Sequence, residues 1–270
     1  LSIRGQRQMC IRDSIQTLLE GKHPAQRALI KEELVAHMLC AGLLKNELEG
    51  RKGPSMNKTS DAEEKFTSSL EFVLTGAQKR TWEEIRSDLK GNRPMRRLLQ
   101  GDVGSGKTLV GALSALHAHE NGWQTAFMCP TEILAEQHHL SLSEWFSSLG
   151  LSVELLTGST KSSERKEIIT KLKSAEINIL IGTHALFQKD VIFNCLGLTV
   201  IDEQHRFGVH QRFSMLEKGG TENRSPHQLI MTATPIPRTL AMTVYGSLET
   251  SIIDEMPPGR KPVETTARPI

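Results

Sequence analysis

Gly101-Asp102-Val103-Gly104-Ser105-Gly106-Lys107-Thr108 constrains this chain more than any other stretch. It satisfies G-x-x-x-x-G-K-[ST] at every fixed position. Arg97-Leu98-Leu99-Gln100 before it is a short apolar run that suits a buried strand. Leu109 to His119 after it is rich in Ala and Leu without Pro, which suits a helix. Strand, glycine loop and helix in that order form a phosphate cradle. Gly101, Gly104, Ser105 and Gly106 would turn their backbone N–H groups inward, and the helix N-terminus adds a fixed partial positive charge. Lys107 would then reach the β- and γ-phosphates of ATP, and the Thr108 hydroxyl would ligate Mg²⁺. A glycine-rich turn that binds nothing is the alternative, and the flanking strand and helix leave it little room.

A chain of 270 residues can fold as one large domain or two smaller ones, and 38% hydrophobic with 24% charged residues is ordinary for a globular protein. The net charge of +2 does not announce a nucleic-acid binder, so any DNA-binding surface must come from local arrangement. Aromatic residues make up 4%, with a single Tyr, which argues against a large base-stacking platform. Cys10, Cys40, Cys129 and Cys195 are scattered without C-x-x-C spacing, giving neither a zinc site nor a disulfide framework. No apolar run approaches transmembrane length and no secretory signal stands at the N-terminus, so no membrane partner and a reduced, cytoplasmic setting are expected.

Residues 1–14 carry no clear periodicity and read as a non-native scar or as the tail of a preceding domain. Residues 15–64 read as a helical linker. Within them Leu34, Met38, Ala41, Leu44 and Leu48 recur at helical steps and predict a packing face over Pro24 to Glu49, whereas Arg51 to Glu64 is polar and loop-like. Phe66 to Thr75 leads into a helix over Ala77–Leu89, ended by Gly91 and Pro94. Strands are expected at Thr125–Cys129, Val153–Leu156, Ile177–Ile181, Leu198–Ile201 and Gln228–Met231, with helices such as Glu132–Phe146 and Ser162–Leu172 between them. That alternation implies an α/β fold, a parallel sheet covered by helices on both faces, with ligands beyond the carboxyl ends of the strands.

Leu198-Thr199-Val200-Ile201-Asp202-Glu203 is an apolar strand ending in two carboxylates. Hydrolysis of a phosphoanhydride needs a metal anchor and a group that orients water, roles suited to Asp202 and Glu203 respectively. Such a pair alone is weak evidence; with the glycine loop it is strong. Thr232 and Thr234, in Thr232-Ala233-Thr234-Pro235, are small hydroxyl residues at a further strand end, which could relay a change at the γ-phosphate or merely form the exit of the strand.

The order of these three segments resembles motifs I, II and III of superfamily 2 helicases. Asp202-Glu203-Gln204-His205-Arg206-Phe207-Gly208-Val209 and Met231-Thr232-Ala233-Thr234-Pro235-Ile236-Pro237-Arg238-Thr239-Leu240 resemble the RecG family of branched-DNA helicases in particular. The transcription-repair coupling family shares the second run, but usually has D-E-E-Q where this chain has Asp202-Glu203-Gln204-His205. The resemblance implies a P-loop NTPase (RecA-like) ATP-binding domain over residues 65–250 and, over 251–270, the start of a connection to a second such domain. It also makes Leu74-Thr75-Gly76-Ala77-Gln78 similar to the Q-motif, with Gln78 reading the adenine edge.

Pro130 to His138 resembles motif Ia and Gly182 to Leu186 motif Ib, so Thr131 and Thr183 are expected on the path of a DNA strand, with Thr157-Gly158-Ser159 beside them. Lys161 to Lys173 has five basic residues against two acidic ones, and reads as a solvated helix face. The implied protein is a monomeric helicase or translocase, using ATP and Mg²⁺ on branched DNA, whose second lobe supplies an arginine finger. The chain alone is therefore expected to turn over ATP hardly at all. The resemblance leaves two alternatives, a duplex translocase without strand separation and a P-loop ATPase that switches protein binding.

Overall fold

The computed structural model describes residues 17–203, 224–234 and 248–257, with the side chains at 37–38 and 40–49 outside that description. The first helix, α1 (Pro24–Glu49), has the range its sequence pattern predicts. Its stripe fares differently. Leu34 is 46% exposed, Leu29, Ile30, Val35 and Leu39 are exposed as well, and the other stripe positions lie outside the described side chains.

Beyond α1 the chain builds one parallel sheet. Strands β1 (Arg96–Gly101), β2 (Gln124–Met128), β3 (Val153–Leu156), β4 (Ile179–Gly182), β5 (Leu196–Asp202), β6 (His227–Thr232) and β7 (Glu249–Ile253) lie in the order β3-β4-β2-β5-β6-β1-β7, every neighbouring pair parallel. β2, β4, β5 and β6 are buried from end to end, as continuous apolar strands between two covered faces must be. Only β7 was not foreseen. Its alternating exposure is that of an edge strand, and its polar residues weaken the pattern that marks the central ones.

Successive side chains of a strand point to opposite faces, and the two cores divide accordingly. On one face α2 (Ala62–Ser69), α3 (Gly76–Leu89), α4 (Lys107–Glu120) and α5 (Glu132–Phe146) cover Phe127, Val200 and Leu229. On the other, α6 (Ser162–Lys173) and the short turn His184–Phe187 cover Ala126, Met128 and Ile201. The sheet covered on both faces is thus as expected.

The polar segment after α1 has no regular secondary structure from Gly53 to Ser60, as its composition suggests, but it is fastened to the domain. It runs as a strap along the amino-terminal edge of the sheet, held mainly through its backbone. Gly53 N–H donates to Asn92 O (2.8 Å) and Met56 N–H to Leu89 O (3.0 Å), while Lys58 N–H donates to Asn121 Oδ1 (2.8 Å). The Met56 side chain is fully buried, and so is Phe66 on α2, stacked 5.2 Å from Phe146. Backbone attachment leaves no trace in residue type, which is why composition did not reveal the fastening.

Two buried imidazoles complete the fastening. His117 Nε2 lies 3.0 Å from Met56 O and His227 Nε2 2.7 Å from Pro54 O. Nδ1 of His227 accepts from the Met95 N–H (2.8 Å), so its proton sits on Nε2, which donates to Pro54. Burial pushes the His227 pKa down to about 4, with the Pro54 bond and Asp88 opposing only in part. The folded chain therefore keeps His227 neutral where the unfolded chain already binds a proton. Its contribution is present above about pH 6.5 and is lost as pH falls through 4, at most about 3 kcal/mol. Urea unfolding between pH 7 and pH 4 should show this loss, with a smaller slope in His227→Gln; equal slopes would remove His227 as its source. Met56→Ala should cost about 2–5 kcal/mol at pH 7 if the strap is part of the core.

Candidate nucleotide site and strand path

Parallel pairing sends every strand toward the same edge, and the motif residues collect there. β1 ends in the glycine loop and β5 in Asp202. β6 ends at Thr232, β2 runs out toward Thr131, β4 toward Thr183 and β3 toward Thr157. β6 lies between β1 and β5, pairing Gln100 with Thr232 and Asp202 with Met231. The loop and the acidic tip are thus two strand spacings apart, about 10 Å.

The loop is built for close backbone approach. Gly104 has φ 80° and Gly106 φ 90°, a left-handed region that favours glycine, and Gly106 caps the N-terminus of α4. Lys107 and Thr108 occupy the first turn of that helix. Lys107 Nζ donates to Gly101 O (2.7 Å) and Asp102 O (2.9 Å). Burial lowers its pKa, while Asp202, Glu203 and Asp102 act in the opposite direction. The Ser105 hydroxyl is buried and has no hydrogen-bond partner among the described residues. The Lys107 ammonium and the Ser105 hydroxyl, opposite the Asp202 and Glu203 carboxylates, fit a magnesium–nucleotide complex. Among the described residues no group of three His, Cys, Asp or Glu could hold a metal ion.

Glu203 stands at φ 50°, an uncommon conformation for a non-glycine residue. Its carboxylate accepts from Ala233 N–H (2.9 Å) and from the Thr232 hydroxyl (3.2 Å). Thr232 Oγ1 also lies 2.8 Å from Thr234 Oγ1, and Gln100 Nε2 donates to Thr234 O (3.3 Å). The ends of β1, β5 and β6 are therefore joined by side-chain bonds.

Gln78 and Thr183 sit differently from their expected roles. Gln78 is 2% exposed: its Oε1 accepts from Thr75 N–H (2.9 Å), completing a capping box, and its Nε2 donates to Ser105 O (2.8 Å). The amide thereby grips the glycine loop. Thr183 is likewise 2% exposed, with its hydroxyl inside the protein, and His184 is the surface residue of that turn. Thr131 is at the surface, where its hydroxyl caps α5 by accepting from Leu134 N–H (3.3 Å).

Sequence reasoning missed two residues on α5. Glu132 accepts from Gly158 N–H (2.9 Å) and Ser159 Oγ (2.8 Å), clasping the Thr157–Ser159 loop expected on the strand path. His138 Nε2 lies 3.0 Å from Asp202 Oδ2. Helical spacing from Ala135 and to Leu142, both buried, could have flagged His138 as inward-facing, but nothing in the sequence names its partner. The motif runs that carry the family resemblance also extend to residues 204–209 and 235–240, which lie outside the described residues.

The profile of the DEAD/DEAH box helicases matches residues 75–243. The chain belongs to that family. This helicase-family domain is 52% identical over 254 residues to the ATP-dependent DNA helicase RecG of Pasteurella multocida (strain Pm70), covering 94% of this chain and 37% of that protein. It is 51% identical over 255 residues to RecG of Escherichia coli (strain K12), again covering 94% and 37%. Among solved structures, RecG bound to a three-way DNA junction superposes with a TM-score of 0.75 at 47% identity, over 86% of this chain and 31% of that one. The helicase-family domain thus spans little more than a third of the curated relatives it matches.

Adding a Cβ at Gly106 would collide with Gln78 Nε2, whereas at Gly122, also left-handed at φ 80°, nothing lies within 4 Å. Both Gly→Ala changes should cost the left-handed strain of about 1–2 kcal/mol. Gly106→Ala should cost measurably more in thermal unfolding; equal losses would show that the Gln78 grip contributes nothing.

Proposed function

We propose that this chain is the ATP-binding motor lobe of a RecG-type DNA helicase acting on branched DNA such as stalled forks and junctions. The observation that carries the reading is the single sheet edge where the glycine loop, Lys107 and the Asp202–Glu203 tip converge. The likeness to RecG supports the choice of DNA and of branched substrates. In this reading residues 65–250 form the lobe, 15–64 lead into it and 251–270 lead out.

ATP enters with its phosphates against the N–H groups of Gly104, Ser105 and Gly106 and the N-terminus of α4. Lys107 leaves the carbonyls of Gly101 and Asp102 for the β- and γ-phosphates, exchanging neutral acceptors for charged ones. Thr108 and Asp202 would hold Mg²⁺, which supplies neutralisation of the phosphate oxygens. Glu203 orients the attacking water. Because its carboxylate is bonded to Thr232 and Ala233, any change in its orientation is felt at the end of β6, which supports a coupling role for Thr232 and Thr234.

Thr131, with the Thr157–Ser159 loop that Glu132 holds, supplies backbone contacts to one DNA strand that are indifferent to base identity. Thr183 joins this path through its main chain, since its hydroxyl is buried. Gln78 acts on ATP by holding the loop. A cytoplasmic monomer is the setting that this reading implies.

The 270-residue chain should bind a fluorescent ATP analogue in the presence of Mg²⁺, and Lys107→Ala should abolish that binding. In a full-length protein that also carries the second lobe, Glu203→Gln should bind the analogue normally and lose phosphate release by about 10²–10⁴-fold. Retained turnover in Glu203→Gln would remove that residue from water activation. Binding that survives Lys107→Ala would overturn the site itself.

A further inference from the structure

His138 is not required by any role assigned above, yet it touches the residue at the centre of the site. Its Nε2 lies 3.0 Å from Asp202 Oδ2, with side-chain exposures of 12% for the imidazole and 13% for the carboxylate. A carboxylate can only accept, so Nε2 is the donor and Nδ1 the acceptor or second donor. On its other side the ring meets Phe127 at 5.0 Å, inclined by 48°. The imidazole is thereby fixed between a β2 aromatic and the tip of β5.

The same helix holds the strand path. Glu132, in the first turn of α5, clasps Gly158 and Ser159, and Thr131 caps the helix at the surface. His138 follows six residues later, about 9 Å along the axis. One rigid element therefore has a loop-holding carboxylate at one point and an Asp202-holding imidazole at another. A shift of α5 that accommodates a strand has to move the hydrogen-bond donor on the metal carboxylate.

We propose that His138 is a positioning residue that sets the orientation of the Asp202 carboxylate for the metal and links it, through α5, to the loops on the strand path. The inference rests on the nucleotide-site reading given above. Carboxylates that ligate metals are held by partners of this kind, and losing such a partner typically weakens metal affinity by about 10–100-fold. A purely packing histidine would change stability and leave metal affinity alone.

The test uses the 270-residue chain with a non-hydrolysable ATP analogue and Mn²⁺ as a paramagnetic probe, the free ion being followed by electron paramagnetic resonance. His138→Ala should weaken Mn²⁺ in the ternary complex by about tenfold. Binding of the analogue in EDTA should stay unchanged. His138→Gln, whose amide nitrogen can reach the position of Nε2, should restore most of the affinity. A single-stranded oligonucleotide should alter Mn²⁺ affinity in the unsubstituted chain and lose that effect in His138→Ala.

Circular dichroism melts identify which variants are folded, and the Gln variant decides the matter if the Ala variant is not. Equal Mn²⁺ affinity with and without His138 overturns the proposal while leaving the nucleotide reading intact. An oligonucleotide effect that survives His138→Ala overturns the link through α5. An unsubstituted chain that binds no analogue sinks the nucleotide reading and this inference with it.

Discussion

Everything at the site depends on parallel strand pairing. Each pair in the sheet runs in the same direction, so six loops that are far apart in sequence leave from one edge. An antiparallel exchange at any central strand would carry its motif to the opposite edge and out of reach. Burial on both faces enforces the arrangement, because slipping a strand by one residue would turn Phe127 or Val200 from one core into the other. Chemistry here is a by-product of how apolar strands are covered.

The central strands and the glycine loop were legible in sequence because each rests on a strong local pattern. Apolar β-rich runs marked β2 to β6, and the spacing of Gly101, Gly106, Lys107 and Thr108 marked the loop. What stayed hidden depends on distant partners. The strap at Lys52–Lys58 is held by main-chain groups, so its polar side chains give no sign of the fastening. Gln78 and Thr183 were expected beside an adenine and on a strand path because their motifs suggest ligands, but their burial depends on α4 and on the packing beneath the turn at His184. Glu132 and His138 acquire meaning only when β3 and β5 arrive beside α5.

The polar groups of the site hold one another. Lys107 rests on loop carbonyls, Gln78 on Ser105, Glu203 on Thr232 and Ala233, and Asp202 on His138. Each bond keeps a polar or charged side chain satisfied in a poorly solvated place, where an unmet donor or acceptor is costly. The left-handed backbone at Glu203 is accompanied by two bonds to its carboxylate.

The strap lies at the far side of the molecule from all of this. Its fastenings, at Leu89, Asn92, Asn121 and His227, sit where strands begin rather than where they end. A pull on α1 is thus borne by the floor of the sheet, as tension on a foundation, and reaches the phosphate loop only through the full length of the strands. The strap and the glycine loop are thus held at opposite edges of one sheet, each by its own set of bonds.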